Sequence, residues 1–209
     1  MKPIAVIDFE TTGLSPTMGD RATEIAIVLL EGTKVVGRFQ SLMNAGVRIS
    51  SFIEDYTGIS NAMVQAAPPA AEVMAQAARF VGDAPMVAHN ACFDQRFWAA
   101  ELGRLGGAVR VDHPFACTML LSRRLYPQAG NYRLGTLASF HALPSAGRAH
   151  RAMADAEVAA SLLGQIQGDI QRDYEVEHAP HDLLMKVQRC QRKAVPKTIA
   201  GYFEGLRER

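Results

Sequence analysis

Cysteine is scarce in this chain. There are three (Cys92, Cys117 and Cys190), an odd number with no CxxC pair and no zinc-ligand spacing. That excludes a disulfide framework and points to a reducing, cytoplasmic setting. Long apolar runs are also missing. No uncharged stretch approaches the ~20 residues of a membrane helix, and the densest run, residues 25–30, is strand-sized. The opening Met-Lys-Pro-Ile-Ala-Val-Ile-Asp has too short an apolar part for a signal peptide, and Asp8 interrupts it. Internal repeats and low-complexity segments are absent. A hydrophobic content of 48% with 21% charged residues excludes a disordered or collagen-like chain. What remains is 209 residues and 22.7 kDa, enough for one well-buried domain and short for two.

The net charge of +1 conceals blocks of opposite sign. Residues 1–94 carry six basic and ten acidic side chains. Residues 95–153 carry eight arginines and no lysine against Glu101 and Asp112. Residues 154–182 set Arg172 against seven acids, and residues 183–209 set seven basic side chains against Glu204 and Glu208. The arginine fork suits phosphate, although a solvated surface explains a charge run equally simply. The acidic blocks acquire meaning only if their carboxylates converge on cations.

Residues 4–9, 22–30 and 35–42 read as strands. They are joined by short connections, as in an antiparallel meander. Residues 72–81 read as an amphipathic helix after Pro68-Pro69, residues 86–89 as a short buried strand, and residues 92–105 as a helix ending at Gly106-Gly107. A short strand is expected around residues 109–111, with helices at 118–125 and 134–141. Ala152, Ala156, Ala159, Leu163, Ile166 and Ile170, spaced four, three, four, three and four, mark a long helix over residues 151–174. Strands followed by alternating helix and strand predict an α/β domain with a mixed sheet flanked by helices.

Three motifs carry chemistry. In Asp8-Phe9-Glu10 the carboxylates stand at i and i+2, on one face of a strand end. Like charges so close call for a cation, and paired carboxylates suit Mg²⁺ or Mn²⁺. Two other D-x-E pairs, 155/157 and 173/175, fall in helical context, where i and i+2 diverge. In His150…Asp155 the two side chains converge only if His150 lies on the loop before the long helix, after Gly147-Arg148-Ala149. Histidine there could serve as a water-activating base, because it is the side chain that titrates nearest neutrality. In His89-Asn90-Ala91-Cys92-Phe93-Asp94 a buried strand ends, Asn90 is a helix N-cap candidate, and Asp94 lies in the first helical turn. Taken singly, each has a plain alternative: a polar strand end, a helix-start histidine, a first-turn acid favouring the helix dipole.

Together, Asp-Phe-Glu-Thr-Thr-Gly-Leu (8–14), His-Asn-Ala-Cys-Phe-Asp (89–94) and His-Arg-Ala-Met-Ala-Asp (150–155) resemble the three exonuclease motifs of the DnaQ-like superfamily. The closest likeness is to the proofreading epsilon subunit of bacterial DNA polymerase III and its relatives. The order and spacing fit over residues 3–170. Arg21-Ala-Thr-Glu-Ile-Ala, Thr57-Gly58-Ile59 and Tyr132-Arg-Leu-Gly-Thr-Leu add smaller likenesses. The resemblance implies a ribonuclease H-like fold and a 3′→5′ exonuclease of the histidine branch. It implies two divalent metal ions, Mg²⁺ or Mn²⁺, on Asp8, Glu10, Asp94 and Asp155, with Asp8 touching both. His150 rather than His89 is the implied general base. Phosphodiester hydrolysis needs an in-line water and a stabilised leaving 3′-oxyanion, ends that two ions about 4 Å apart can serve.

Thr11, Thr12 and Leu14 follow the paired acids and are expected to line the pocket for the last nucleotide. Leu14 would wedge against its base, with Asn90 and Phe93 opposite; core packing is the alternative for Leu14 and Phe93. Arg123, Arg124, Arg133 and Arg148 are candidates to track the phosphate backbone. The expected substrate is the 3′ end of single-stranded DNA, cut to 5′-mononucleotides, by the chain alone or as a proofreading subunit of a polymerase. An RNA 3′→5′ exonuclease like ribonuclease T or oligoribonuclease shares the carboxylate set. A non-catalytic nucleic-acid-binding subunit would have no reason to keep all five groups. Residues 1–174 are expected to form the exonuclease domain, and residues 175–209 a linker and basic helical tail. Lys186, Arg189, Arg192, Lys193 and Lys197 form a run without an acid between Leu183 and Phe203. That tail could bind nucleic acid, dock a partner, or pack on the domain through Leu183, Leu184 and Val187, the reading slightly favoured.

Overall fold

The computed structural model describes residues 3–106, 110–144 and 150–207. Three strands come first: β1 (Ile4–Thr11), β2 (Ala22–Glu31) and β3 (Lys34–Leu42). Only Gly32 and Thr33 separate β2 from β3, and Gly32 takes a φ of +59°, a conformation glycine reaches without strain. Two short helices follow, α1 (Ser51–Thr57) and α2 (Asn61–Ala66). Neither was expected, because elements under two turns show no apolar period. Their caps do the work instead: Ser50 accepts from the Ile53 N–H, Ser60 accepts from the Met63 N–H, and Gly58 ends α1 at φ +73°.

The alternating part comprises α3 (Ala70–Val81), β4 (Met86–Ala88), α4 (Cys92–Gly103), β5 (Phe115–Cys117), α5 (Thr118–Leu125), α6 (Leu134–Phe140) and α7 (Ala152–Asp173). Two more helices, α8 (His181–Arg189) and α9 (Val195–Arg207), follow residues 174–180. The strand expected at 109–111 is displaced. Val109 lies outside the described residues, Val111 has no regular structure, and the strand is Phe115–Cys117. That three-residue strand is wholly buried, so no alternation marks it. Asn90 does not cap α4; Ala91 holds that position without a side-chain cap, and Asn90 instead takes φ +61°. Pro196 stands in the first turn of α9, where the helix needs no N–H from that residue.

The five strands form one mixed sheet in the order β3-β2-β1-β4-β5. β1, β2 and β3 pair antiparallel; β4 runs parallel to β1, and β5 parallel to β4. Strand alternation divides the core in two. Ala5, Ile7 and Phe9 pack with Val73, Met74, Phe97 and Trp98 of α3 and α4. Val6, Ala26 and Val28 pack on the opposite side with Ala152, Ala156, Ala159, Leu163 and Ile166 of α7. The alanines on this helix let it lie close across β1 and β2. Leu183, Leu184 and Val187 of α8, with Val195 and Ile199 of α9, are buried in the same second cluster. Among the described residues no helix is long and apolar enough to cross a membrane.

At the sheet edge, Gln188 of α8 completes β5. Its carbonyl accepts from the Cys117 N–H at 2.6 Å, and its amide donates to the Phe115 carbonyl at 3.2 Å. One side chain thus satisfies a donor and an acceptor that a sixth strand would otherwise meet.

Candidate active site

Asp8 and Glu10 share the parity of Val6 on β1, so they project from the α7 side of the sheet near its end. Asp155 stands in the first turn of α7 on that same side. Carboxylate oxygens of Asp8, Glu10 and Asp155 all lie within 4.8 Å of one another, a group that can hold a metal ion. Asp94 arrives from the other layer, in the first turn of α4. It is buried, and its Oδ1 accepts from the Phe9 N–H at 3.2 Å, which ties it to the backbone between the paired acids. Asp94 is not among the three residues of the close group.

The electrostatics are those of uncompensated charge. Burial, then the carboxylates of Asp94, Glu10, Asp155 and Glu24, push Asp8 well above the usual carboxylate range. Glu10 is pushed up to about 8, by burial first and then by Asp155 and Glu24, with Arg151 opposing. Burial also raises Asp94 and Asp155. Hard divalent cations with oxygen ligands suit such a set.

His150 lies on the turn before α7, as its spacing from Asp155 requires. Its backbone is left-handed at φ +62°, and its N–H donates to Asp155 Oδ2 at 3.0 Å. Left-handed non-glycine residues cost energy and gather at functional sites; Asn90 is a second instance here. The His150 ring stacks on Tyr56 of α1, with centroids 3.9 Å apart and planes inclined by 30°; Tyr56 in turn stacks on Phe52, 6.0 Å away and 10° off parallel. His89 is placed quite differently. Its Nε2 meets the Tyr132 carbonyl at 3.0 Å and its Nδ1 the Thr118 hydroxyl at 2.9 Å. Burial lowers its pKa to about 4, so it is neutral at working pH and both ring nitrogens are occupied.

Two cavities meet at these residues. The smaller, about 520 Å³, is lined by the site acids together with Thr11, Thr12, Leu14, Phe52, Tyr56, Phe93 and His150. Leu14 is 78% exposed, so it is not a core residue; Phe93 does pack inward, on Phe97 at 4.9 Å. Thr11 donates to the Gly13 carbonyl, and Thr12 accepts from the Arg21 N–H, so both hydroxyls also hold the loop. Asn90 is exposed and lines the larger cavity, about 1590 Å³, with Asp8, His150, Arg123, Tyr132 and Arg133. Arg124 does not face this groove: it donates to the Cys190 and Gln188 carbonyls at the end of α8. Arg148 lies outside the described residues.

Two ion pairs that sequence reasoning did not single out brace the site. Glu24 of β2 receives both Arg151 nitrogens (2.8 and 3.1 Å), the Ala152 N–H and the Gln40 amide. Burial alone would raise Glu24, but these bonds hold it below its usual range. The pair fastens the start of α7 to β2 and so places His150 and Asp155. Arg21 grips Glu101 of α4 with two nitrogens at 2.8 Å, which closes the loop bearing Leu14. Neither pairing is visible in one sequence, since partners are 127 and 80 residues apart. Tyr56 was missed for a similar reason: only the Ser50 cap and Gly58 stop announce its helix.

The sheet places the paired acids of β1 beside the acids at the starts of α4 and α7, and three of them, Asp8, Glu10 and Asp155, could hold a metal ion. Residues 5–163 match the exonuclease family of the RNase T type. The chain belongs to that family, which bears out the DnaQ-like resemblance. It is 40% identical over 157 residues to the DNA polymerase III PolC-type of Caldanaerobacter subterraneus subsp. tengcongensis, a match covering 75% of this chain and 11% of that protein. It is 37% identical over 161 residues to the 3′-5′ exonuclease DinG of Bacillus subtilis, covering 77% of this chain and 17% of that protein. The chain thus spans a small part of either relative. Among solved structures, exonuclease X in complex with 5′ overhanging duplex DNA superposes with a TM-score of 0.67 and 27% identity, covering 88% of this chain and 99% of that one. The mixed sheet flanked by helices is therefore the ribonuclease H-like arrangement.

Proposed function

We propose that this domain removes 5′-mononucleotides from the 3′ ends of single-stranded DNA, using two divalent cations, Mg²⁺ or Mn²⁺, held by Asp8, Glu10, Asp94 and Asp155. The observation that carries it is the convergence of Asp8, Glu10 and Asp155 within 4.8 Å beside His150. The raised pKa values of these acids fit a cation site, because burial and their mutual repulsion outweigh the opposing charge of Arg151. When bound, such ions supply Lewis-acid activation of the attacking water and charge stabilisation for the leaving 3′-oxygen.

The chain's own residues do the rest. Glu24 and Arg151 hold the start of α7 so that Asp155 and His150 face β1. His150 takes the proton from the attacking water; His89, whose ring nitrogens are both engaged, is unsuited to that role. Thr11, Thr12, Leu14 and Phe93 line the smaller cavity and seat the terminal nucleotide, with exposed Leu14 against its base. Asn90, Arg123 and Arg133 line the larger groove and receive the strand behind it. Contacts to phosphates and base faces make the cleavage sequence-blind.

The DinG relative is named a 3′-5′ exonuclease and the PolC-type relatives are named DNA polymerases, which supports DNA as substrate and proofreading beside a polymerase as the place of action. The deciding experiment is a gel time-course on 5′-labelled single-stranded DNA and matched RNA with Mg²⁺, Mn²⁺ or EDTA, beside the Asp8→Ala protein. A metal-dependent ladder shortening from the 3′ end of DNA, absent in the variant, is expected. Faster loss of RNA would reassign the substrate, and no cleavage of either by folded protein would sink the proposal.

A further inference from the structure

Five cations stand together on the C-terminal helices and take no part in the site described above. Lys186 and Arg189 lie on α8, Arg192 and Lys193 in the turn after it, and Lys197 on α9. All five are exposed. Among the described residues none has an ion pair or a side-chain hydrogen bond, while elsewhere Arg21, Arg38, Arg110, Arg151 and Arg172 each hold a carboxylate. A folded protein that gathers five like charges, none of them paired with a carboxylate among the described residues, stores repulsion that an anionic partner would relieve.

The segment is firmly placed, and its placement is informative. Leu183, Leu184 and Val187 are buried, so the basic residues of α8 fall on its outer side. The last turn of α8 is fixed at Cys117 through Gln188, and Cys117 pairs with Ala88, the residue before His89. The end of α8 therefore lies toward the end of the sheet that carries the catalytic acids. Helix α5 makes the connection continuous. Arg124 grips the Cys190 carbonyl at 2.6 Å, and its neighbour Arg123 lines the groove that contains Asp8 and His150.

We propose that the face formed by Lys186, Arg189, Arg192, Lys193 and Lys197 binds the phosphate backbone of the nucleic acid upstream of the 3′ end, extending the Arg123–Arg133 groove into a longer electrostatic track. The proposal rests on the nuclease reading for its direction, with the scissile end at Asp8 and the remaining strand leaving across α5. The occupant is chosen by charge and continuity. A polyanion of repeating phosphates matches exposed, unpaired cations that extend from a groove already holding arginines, and among the described residues no large hydrophobic side chain is exposed between Lys186 and Lys197 to suit a protein partner. Such a track favours long strands over short ones without altering the chemistry at the acids.

The test compares the triple variant Arg189→Gln/Arg192→Gln/Lys193→Gln with a control that removes three exposed cations elsewhere, Lys34→Gln/Arg79→Gln/Arg104→Gln. Affinity for a fluorescent long oligothymidylate is measured in EDTA between about 50 and 200 mM salt. Cleavage of a dinucleotide, which reaches only the catalytic cavity, is measured with Mg²⁺. The expected result is about tenfold weaker binding of the long strand in the triple variant. Its salt dependence should be shallower by about 0.7 per lost phosphate contact, dinucleotide cleavage should be unchanged, and the control should bind like the parent. Equal loss in the control would reduce the effect to net charge and overturn the proposal. Undiminished binding by the triple variant would also overturn it and leave the cations to an acidic protein partner. Failure of the parent to cleave the dinucleotide would strike the nuclease reading alone, since the binding comparison stands without it.

Discussion

The imidazole of His150 lies against the ring of Tyr56, with centroids 3.9 Å apart. The histidine is held from two directions, by this stack on one side and by its own backbone bond to Asp155 on the other. The proposed general base is thus oriented from both sides, and the aromatic side chain that supplies the hold comes from α1, which carries none of the proposed metal ligands.

Removing the ring should therefore loosen the base. Tyr56→Ala is expected to lower kcat about tenfold with a smaller change in the affinity for metal, whereas Tyr56→Phe, which keeps the ring, should retain most activity. Steady-state kinetics on single-stranded DNA separate the two. Equal loss in both variants would assign the effect to the hydroxyl instead.

Asp8→Ala removes a proposed ligand and also a source of repulsion. Hydrolysis should be abolished, while the metal-free protein should unfold a few degrees higher than the parent, since ~1 kcal/mol is worth about 2–4 °C at this size. Thermal melts followed by far-UV circular dichroism in EDTA check this; a variant without folded signal would undermine the assignment of Asp8 to a cation site.

The pH dependence of the metal-free protein has a definite sign. Glu10 titrates near 8 in the fold and near the ordinary glutamate value when unfolded. Between those values the native state binds more protons, so stability should fall as pH rises from about 4.5 to 8 and change little from this source beyond. Added Mg²⁺ or Mn²⁺ should raise the melting temperature more at pH 8 than at pH 5, because a cation competes with protons for the same oxygens. A metal effect larger at pH 5 would contradict it.

Glu24 and Arg151 form the brace behind the site. Arg151→Met leaves a carboxylate with a side chain only 1% exposed without its main partner, and should cost about 3 kcal/mol. Activity should fall further than stability explains, since His150 and Asp155 lose their anchor. The double variant Glu24→Gln/Arg151→Met should recover part of the stability; denaturant unfolding of the single and double variants gives the coupling directly.

Most of the architecture could be read from periodicity. β1, β2 and β3 alternate or run apolar over eight to ten residues, and α7 shows its alanine and leucine face over 22. Elements that failed to announce themselves were short, as with α1, α2 and β5, where caps or burial replace pattern. The five acid and base candidates were legible because each sits at a local landmark: a strand end, a first helical turn, or a turn before a helix. Their mutual distances were not, since Asp8, Asp94 and Asp155 meet only when the sheet and both layers are assembled. Tyr56, Glu24 and Arg151 escaped because what they do depends on a partner remote in the chain. Asn90 illustrates the opposite error: its type suits a cap, but the tight exit from β4 demands a left-handed residue, and asparagine tolerates that too.

The acids reach the site from opposite layers. Asp94 is carried by α4, whose Phe97 and Trp98 pack with Phe9 on one face of the sheet, and Asp155 by α7, which packs with Val6 and Val28 on the other. Asp8 and Glu10 stand on the strand between. A shift of either layer against the sheet moves one carboxylate while leaving the others in place. The pocket thus reports on the alignment of the whole domain, and a packing defect far from it, such as a truncated side chain beneath α3 or behind α7, would be felt there first as a lost grip on cations.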